Sequence, residues 1–331
     1  MLAKFADIWQ FMQNQWPSAP TYTEKDYPDL VGRVYIVTGA VGLAVEVTKL
    51  LIGRGAKVYI MGRNEQKAQA CVDKLRQEFP EAQVDFFTAD LGDLSTIGPG
   101  VQKFLSQETE LHGVIHNAGV MPSNRGARVK SNDLELMVGT NNVGPHLLQK
   151  YLDGILFRTA AKQPRGSVRV VWVTSCMHVA ANHEGGVNWD DINYDKSPKT
   201  SAAVLYGQSK AINIIQSYMW SKKNDAAEAG ILSLSVHPGS LDTELTRDSP
   251  SILRWIVRRV LLHPAKLGAY SELFALLNPT LTVEKNTGGY IIPWGKIGFA
   301  RQDVDTGMKG ANGERLWSWL DDKVMPFYKS A

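Results

Sequence analysis

Short apolar runs alternate along this chain with longer stretches whose apolar residues recur every three or four positions. The runs fall at Arg33–Val37, Lys57–Met61, Gln83–Phe87, Gly113–His116, Val168–Thr174, Leu232–Val236 and Gly289–Pro293. Several, such as RVYIVTG and VRVVWVTS, are almost continuously apolar, as strands buried on both faces are. The segments between them have helical length and spacing. Alternating βα units predict an α/β fold, a doubly wound parallel sheet of about seven strands with helices on both faces. Ligand is expected in the crevice outside the carboxyl ends of the strands.

Two segments break the rhythm. The start, MLAKFADIWQFMQNQW, places Leu2, Phe5, Ile8, Trp9, Met12 and Trp16 at helical spacing. Such a face suits a helix docked on the body or on a twin subunit, or an interfacial helix touching a membrane. Its single lysine favours docking. After the sixth strand, SLDTELTRDSPSILRWIVRRVLLHPAK follows a strand end directly. It is expected to form a helical lid, about residues 241–263, over the crevice. Its Ile252, Trp255, Ile256 and Val260 either face a hydrophobic substrate or pack on the body. No repeat or linker divides the rest. The expected organisation is a lead-in over residues 1–30 and one catalytic domain over 31–331, ending in a C-terminal helix.

Composition adds mainly exclusions. The chain has 331 residues, 44% hydrophobic and 21% charged, with net charge +3. That mild balance, without a basic run, argues against nucleic acid as a partner. No stretch is apolar and long enough to span a bilayer, and the start lacks the marks of a signal peptide. The two cysteines, Cys71 and Cys176, lie far apart; reduced thiols and a cytoplasmic location are the simple expectation.

Candidate chemistry gathers at strand ends and on two helical segments. In YGQSK, Tyr206 and Lys210 are four residues apart on one helix face. A nearby ammonium favours the phenolate and is expected to lower the tyrosine pKa. Such a tyrosine can exchange a proton with a carbonyl or alcohol. Ser175 ends the run VVWVTS, where its hydroxyl could hydrogen-bond a developing oxyanion. Asn141, in TNNVG, offers an amide that could hold a water against the lysine. IHNAG puts small residues at the end of the fourth strand, and VHPGS forces a turn at Pro238–Gly239. His178 and His237 flank these motifs without a second-ligand spacing, so no metal is expected. Cys176 has no evident base partner and is not expected to act as a nucleophile.

In order and spacing, these motifs resemble the short-chain dehydrogenase/reductase family, over about Val31 to Ile292. The lead-in YTEKDYPDLVGRVYIVTGA and the tail GGYIIPW…LWSWLDDKV are similar to its fungal, retinol-dehydrogenase-like branch, many members of which serve secondary metabolism. The resemblance implies a Rossmann-type fold and a catalytic tetrad of Asn141, Ser175, Tyr206 and Lys210. Tyr206 would be the acid/base and Ser175 would position the carbonyl. Lys210 would also hold the nicotinamide ribose, and Asn141 would support a proton relay through water. Asn117, Ala118 and Gly119 would line the cofactor, Asp90 would lie by its adenine, and Pro238, Gly239 and Thr243 would contact its nicotinamide side. A hydrophobic small-molecule substrate and a homodimer are further implications.

The cofactor signals pull in two directions. The second strand ends in Gly62 and then Arg63. With no acid there for the ribose hydroxyls, the arginine suits a 2′-phosphate and hence NADP(H); otherwise Arg63 is a solvated surface residue. The turn after the first strand, VTGAVGLA, holds Gly39, Gly42, Leu43 and Ala44. It is one residue shorter than the family's glycine-rich turn, with alanine for the last glycine. A missing residue shifts a helix start by about 1.5 Å and displaces N–H groups that should face a pyrophosphate. The leading expectation is an NADPH-dependent carbonyl reductase or the reverse alcohol dehydrogenase. The alternatives are a non-redox cyclase, isomerase or dehydratase with weakened or lost cofactor binding, and a silent scaffold protein.

Overall fold

The computed structural model describes residues 14–122, 126–241 and 262–329. Eight strands form one sheet in the order β3-β2-β1-β4-β5-β6-β7-β8. They are β1 (Val34–Thr38), β2 (Lys57–Gly62), β3 (Val84–Thr88), β4 (Gly113–His116), β5 (Arg169–Val173), β6 (Leu232–Val236), β7 (Gly289–Ile292) and β8 (Lys296–Gly298). The first seven pair in parallel; β8 returns antiparallel along β7. The seven expected strands are all present with ends shifted by one residue at most. The eighth, three residues long with only Ile297 exposed and its neighbours half-buried, has no apolar run to announce it.

Strand order reverses between β1 and β4, so the crevice expected of a doubly wound sheet opens there. Among the described residues, the longer helices, of nine residues or more, are α1 (Leu43–Ile52), α2 (Glu65–Glu78), α3 (Ile97–Leu105), α4 (Gly144–Ala160), α5 (Ala202–Lys223), α6 (Ala265–Leu277) and the C-terminal α7 (Ala311–Val324). Alternation along each strand sends side chains into two cores. Val34 and Ile36 of β1 join a core with residues of α3, α4, α5 and α7. Tyr35 and Val37 join the other, with residues of α1, α2 and α6. β1, β5 and β6 are buried along their whole length; β1 and β5 are accordingly almost continuously apolar, while β6 alternates Leu with Ser and satisfies both buried hydroxyls on main-chain carbonyls.

α5 is buried without a break from Leu205 to Ser217, and α6 from Gly268 to Leu277. Polar side chains on such helices must find partners inside the protein. Of the expected N-terminal helix, only Asn14 and Gln15 are described as helical, and both are buried. The Gln15 amide oxygen accepts from Ser240 Oγ at 2.9 Å, and its main-chain carbonyl accepts from His263 Nε2 at 3.0 Å. The rest of that helix, most of the expected lid with Ile252, Trp255, Ile256 and Val260, and Thr243 lie outside the described residues. Among the described residues, no helix is long and apolar enough to cross a membrane.

Candidate active site

The carboxyl edge of β5 sets the site. Thr174 Oγ1 donates to the Lys210 carbonyl at 2.6 Å, fastening the strand end to the middle of α5. The next residue, Ser175, caps the short turn Cys176–Ala180, its Oγ accepting from the Met177 N–H at 3.2 Å. α5 lies directly against this turn. A Cβ at Gly207 would come within 2.7 Å of both the Met177 carbonyl oxygen and the Ala181 nitrogen. Glycine in YGQSK is therefore what lets Tyr206 reach Ser175. The four-residue spacing then puts Lys210 Nζ 5.4 Å from the centre of the Tyr206 ring.

Electrostatics depart from the sequence expectation. Burial pushes the Tyr206 phenol well above its usual range; the Cys176 thiol adds to this, and hydrogen bonding with Ser175 pulls the other way. The expected lowering by the lysine does not occur. The ammonium is itself desolvated: burial brings Lys210 down to about 8, with Glu272 pulling it up. Its Nζ also donates to the Val173 carbonyl at 2.9 Å. Tyr206 is thus a protonated phenol at neutral pH, shaped more by its dry surroundings than by its cationic neighbour.

Asn141 sits in a π-turn, Gly139–Val143, that leads into α4. Its side-chain oxygen accepts from the Val120 N–H at 2.8 Å, and its Nδ2 donates to the Val120 carbonyl at 3.0 Å and to Ser209 Oγ at 3.1 Å. The amide expected to hold a water is therefore engaged in clasping the loop after β4 to α5. A Cβ on Gly119 in that loop would lie 3.3 Å from Asn141 Oδ1 and 3.5 Å from Lys210 Nζ. Asn117 Nδ2 donates to the Thr38 carbonyl at 2.9 Å, and the Ala118 N–H donates to Thr38 Oγ1 at 2.8 Å. These bonds join the ends of β4 and β1 across the crevice.

The shortened turn keeps a workable form. Gly39 (φ 106°) donates its N–H to the Met61 carbonyl at 2.7 Å. Gly42 (φ 60°) is the N-cap of α1 and supplies no side-chain cap, so the first N–H groups of α1 have no side-chain acceptor. An uncapped helix start reached through left-handed glycines fits a pyrophosphate. The Leu43 side chain is buried in the core, which leaves only its main chain for such a contact. Arg63 is exposed just past β2. Asp90 Oδ1 accepts from the Gly92 N–H at 2.9 Å, bracing the turn after β3. Pro238 and Gly239 follow β6 as expected; a Cβ on Gly239 would lie 2.5 Å from the Trp294 ring.

The flanking histidines are structural. His178 Nδ1 donates to the Ser175 carbonyl at 2.8 Å and its Nε2 accepts from the Arg301 N–H at 3.0 Å, which fixes a neutral tautomer. His237 Nδ1 accepts from the Gly239 N–H at 3.3 Å. Burial pushes the Cys176 thiol up to about 11, the wrong direction for a nucleophile. Among the described residues, no group of three or more metal-ligating side chains occurs.

Two groups near the lysine had escaped the sequence reading. Asn213, one further turn along α5, contacts Lys210 Nζ through its Oδ1 at 3.5 Å. Its signal was available, since the three-residue spacing shares the lysine's face. Glu272 of α6 is fully buried, neither of its oxygens has a hydrogen-bond partner, and burial pushes it up to about 8. Nothing in AYSELFALL sets that glutamate apart from a surface one.

The geometry can be set beside known proteins. The sequence pattern of the short chain dehydrogenases matches residues 33–184. The chain is 38% identical to a short-chain dehydrogenase/reductase of Phomopsis amygdali, over 96% of this chain and 98% of that one. It is 36% identical to the short-chain dehydrogenase/reductase bet4 of Neocamarosporium betae, over 97% and 94%. In fold it resembles a gluconate 5-dehydrogenase of Burkholderia cenocepacia, solved with NADP and tartrate. The TM-score is 0.59 at 17% identity, over 80% of this chain and 95% of that one. A 3-ketoacyl-(acyl-carrier-protein) reductase of Brucella melitensis, complexed with NADH, gives a TM-score of 0.59 at 18% identity, over 80% and 98%. Similarity to fungal sequences along nearly its whole length makes this chain a member of an oxidoreductase family, the short-chain dehydrogenases/reductases.

Proposed function

We propose that the protein is an NADPH-dependent oxidoreductase that reduces the carbonyl of a hydrophobic small molecule, or oxidises the corresponding alcohol. One observation carries the reading: Ser175, Tyr206 and Lys210 converge at the carboxyl edge of the sheet. A nicotinamide cofactor bound here would supply the hydride to the substrate carbon, or take it up in the reverse direction. Tyr206, a protonated phenol at neutral pH, gives its proton to the carbonyl oxygen in reduction and takes one back from the alcohol in the reverse reaction. The Ser175 hydroxyl donates to that oxygen as negative charge develops on it. Lys210 would hold the ribose, and Asn141, bonded to Val120 and Ser209, keeps the wall after β4 in place beside it.

Gly39, Gly42 and the main chain of Leu43 would take the pyrophosphate, and Arg63 the 2′-phosphate. Asp90 would lie by the adenine. Asn117, Ala118 and Gly119 would line one side of the cofactor, and Pro238, Gly239 and Thr243 the nicotinamide side. The similar folds solved with NADP and with NADH support a nicotinamide cofactor, while Arg63 supports the phosphorylated form. The resemblance to the retinol-dehydrogenase-like branch supports a secondary metabolite as substrate, membership of the wider family supports a homodimer, and the two free cysteines, Cys71 and Cys176, support a cytoplasmic setting.

The test is a fluorescence titration of the purified protein with NADPH and, in parallel, NADH. Tight NADPH binding with weak NADH binding is expected. Absence of binding by either at millimolar concentration overturns the redox reading and leaves Tyr206 and Ser175 to non-redox acid/base chemistry.

A further inference from the structure

A π-turn spreads the backbone hydrogen bonds of a helix and leaves carbonyls to be satisfied from elsewhere. In the π-turn Gly139–Val143, two carbonyls accept from side chains of α5. Asn213 Nδ2 donates to the Asn141 carbonyl at 2.9 Å, and Gln216 Nε2 donates to the Asn142 carbonyl at 3.1 Å. Asn142 Nδ2 answers by donating to the Ser209 carbonyl at 2.8 Å and to Gln216 Oε1 at 3.3 Å. Lys210, Asn213 and Gln216 follow one another at three-residue spacing, so they share the face of α5 turned to this turn. All three are buried.

We propose that Asn213 is a positioning residue for Lys210, its amide bridging the lysine ammonium to the main-chain carbonyl of Asn141. Asn213 Oδ1 lies 3.5 Å from Nζ, and its Nδ2 is 2.9 Å from the Asn141 oxygen. The amide cannot flip without setting its NH2 against the ammonium and its oxygen against the carbonyl, so its orientation is fixed. Lys210 is consequently held by two acceptors, the Val173 carbonyl and the Asn213 amide oxygen. One of the three ammonium hydrogens remains for the Tyr206 side of the site. The catalytic consequence rests on the oxidoreductase reading above; the positioning itself does not.

Two variants test it. Asn213→Asp is isosteric and places a carboxylate where the amide oxygen faces Nζ. NMR titration of Cε-labelled lysine, assigned with Lys210→Arg, reads the ammonium directly and needs neither cofactor nor turnover. Tyr206 on α5 and Glu272 on α6 are the other titratable groups bearing on Lys210, and both are unchanged in the variant. The Lys210 midpoint is expected to rise by about one unit or more. Asn213→Ala frees the ammonium on one side. With phenanthrenequinone as carbonyl probe, its kcat is expected to fall by about tenfold or more while KM changes little. An unmoved midpoint in Asn213→Asp, or an unchanged kcat in Asn213→Ala, overturns the proposal. If the wild-type protein reduces no carbonyl, the functional reading fails by itself, and the lysine midpoint alone decides the role of Asn213.

Discussion

The Lys210 ammonium stands 5.4 Å from the centre of the Tyr206 ring, yet the phenol is governed by burial. In the function proposed above, Tyr206 acts first as a proton donor. Tyr206→Phe removes one oxygen from a packed ring and leaves the fold intact. Turnover is expected to fall by about a thousandfold, with NADPH affinity little changed. Steady-state kinetics beside a binding titration check both halves.

Gly207 makes that proton reachable, because α5 touches the Cys176–Ala180 turn at its position. Gly207→Ala inserts a Cβ within 2.7 Å of two backbone atoms. The helix must back away from the turn, carrying Tyr206 from Ser175. A loss of kcat on the order of a hundredfold is expected, with circular dichroism still native. A variant of full activity would mean that Tyr206 and Ser175 need not be held together by this contact.

Much of this was legible from sequence, for identifiable reasons. β1 and β5 announce themselves because burial on both faces leaves their runs almost continuously apolar, whereas β6 alternates Leu with Ser and buries both serines, their hydroxyls bonded to the Ser217 and Gly289 carbonyls. Ser175, Tyr206 and Lys210 were found because each lies at a strand end or at a fixed helical spacing. The pKa of Tyr206 was misjudged because the spacing gives a distance to the charge but not the depth of burial, and burial is the larger influence. Asn141 was recognised as important, but its partners Val120 and Ser209 depend on the π-turn, which has no sequence signature. Glu272 became visible only once α6 was seen to be enclosed on all sides.

Glu272 gives a pH dependence of definite sign. Its folded value is raised from the ordinary 4.5 to about 8, so the folded chain keeps a proton that the unfolded chain loses. Its contribution to stability is complete below pH 4.5 and is lost as pH rises toward 8. Glu272→Gln should flatten this decline, so that its Tm gains on the wild type as pH increases. The same substitution removes the charge that holds Lys210 up. Any limb of the pH–rate profile due to Lys210 should therefore move to lower pH. A Tm difference between Glu272→Gln and wild type that does not change with pH over that interval would remove Glu272 from the account.

Arg63 separates the two cofactor forms. It is exposed just past β2, where a guanidinium can take a phosphate through paired hydrogen bonds. Arg63→Leu is expected to weaken NADPH by about tenfold to a hundredfold and to leave NADH nearly unchanged. Equal losses for both cofactors would assign the arginine to a feature they share.

Arg169 carries the last prediction, at the opposite end of the sheet from the chemistry. It begins β5, is almost fully buried, and donates only to main-chain carbonyls. Nε reaches Gly166 at 2.8 Å, Nη1 reaches Ala275 at 2.9 Å, and Nη2 reaches Asn278 at 2.9 Å. Ala275 and Asn278 lie at the carboxyl end of α6, where a cation also meets the negative end of the helix dipole. Burial lowers the guanidinium to about 10, which leaves it charged at neutral pH. Arg169→Met keeps most of the side-chain volume but removes the side-chain donors to these buried carbonyls, of which Asn278 alone keeps a main-chain donor, the Leu281 N–H. A loss of about 3–5 kcal/mol is expected, read as a lower urea midpoint with an unchanged slope. Because Ser175 and Tyr206 lie at the far edge of the sheet, the fraction that stays folded should keep wild-type kcat. A fall in kcat at full folding would show that α6, and Glu272 with it, shifts when its carboxyl end is released.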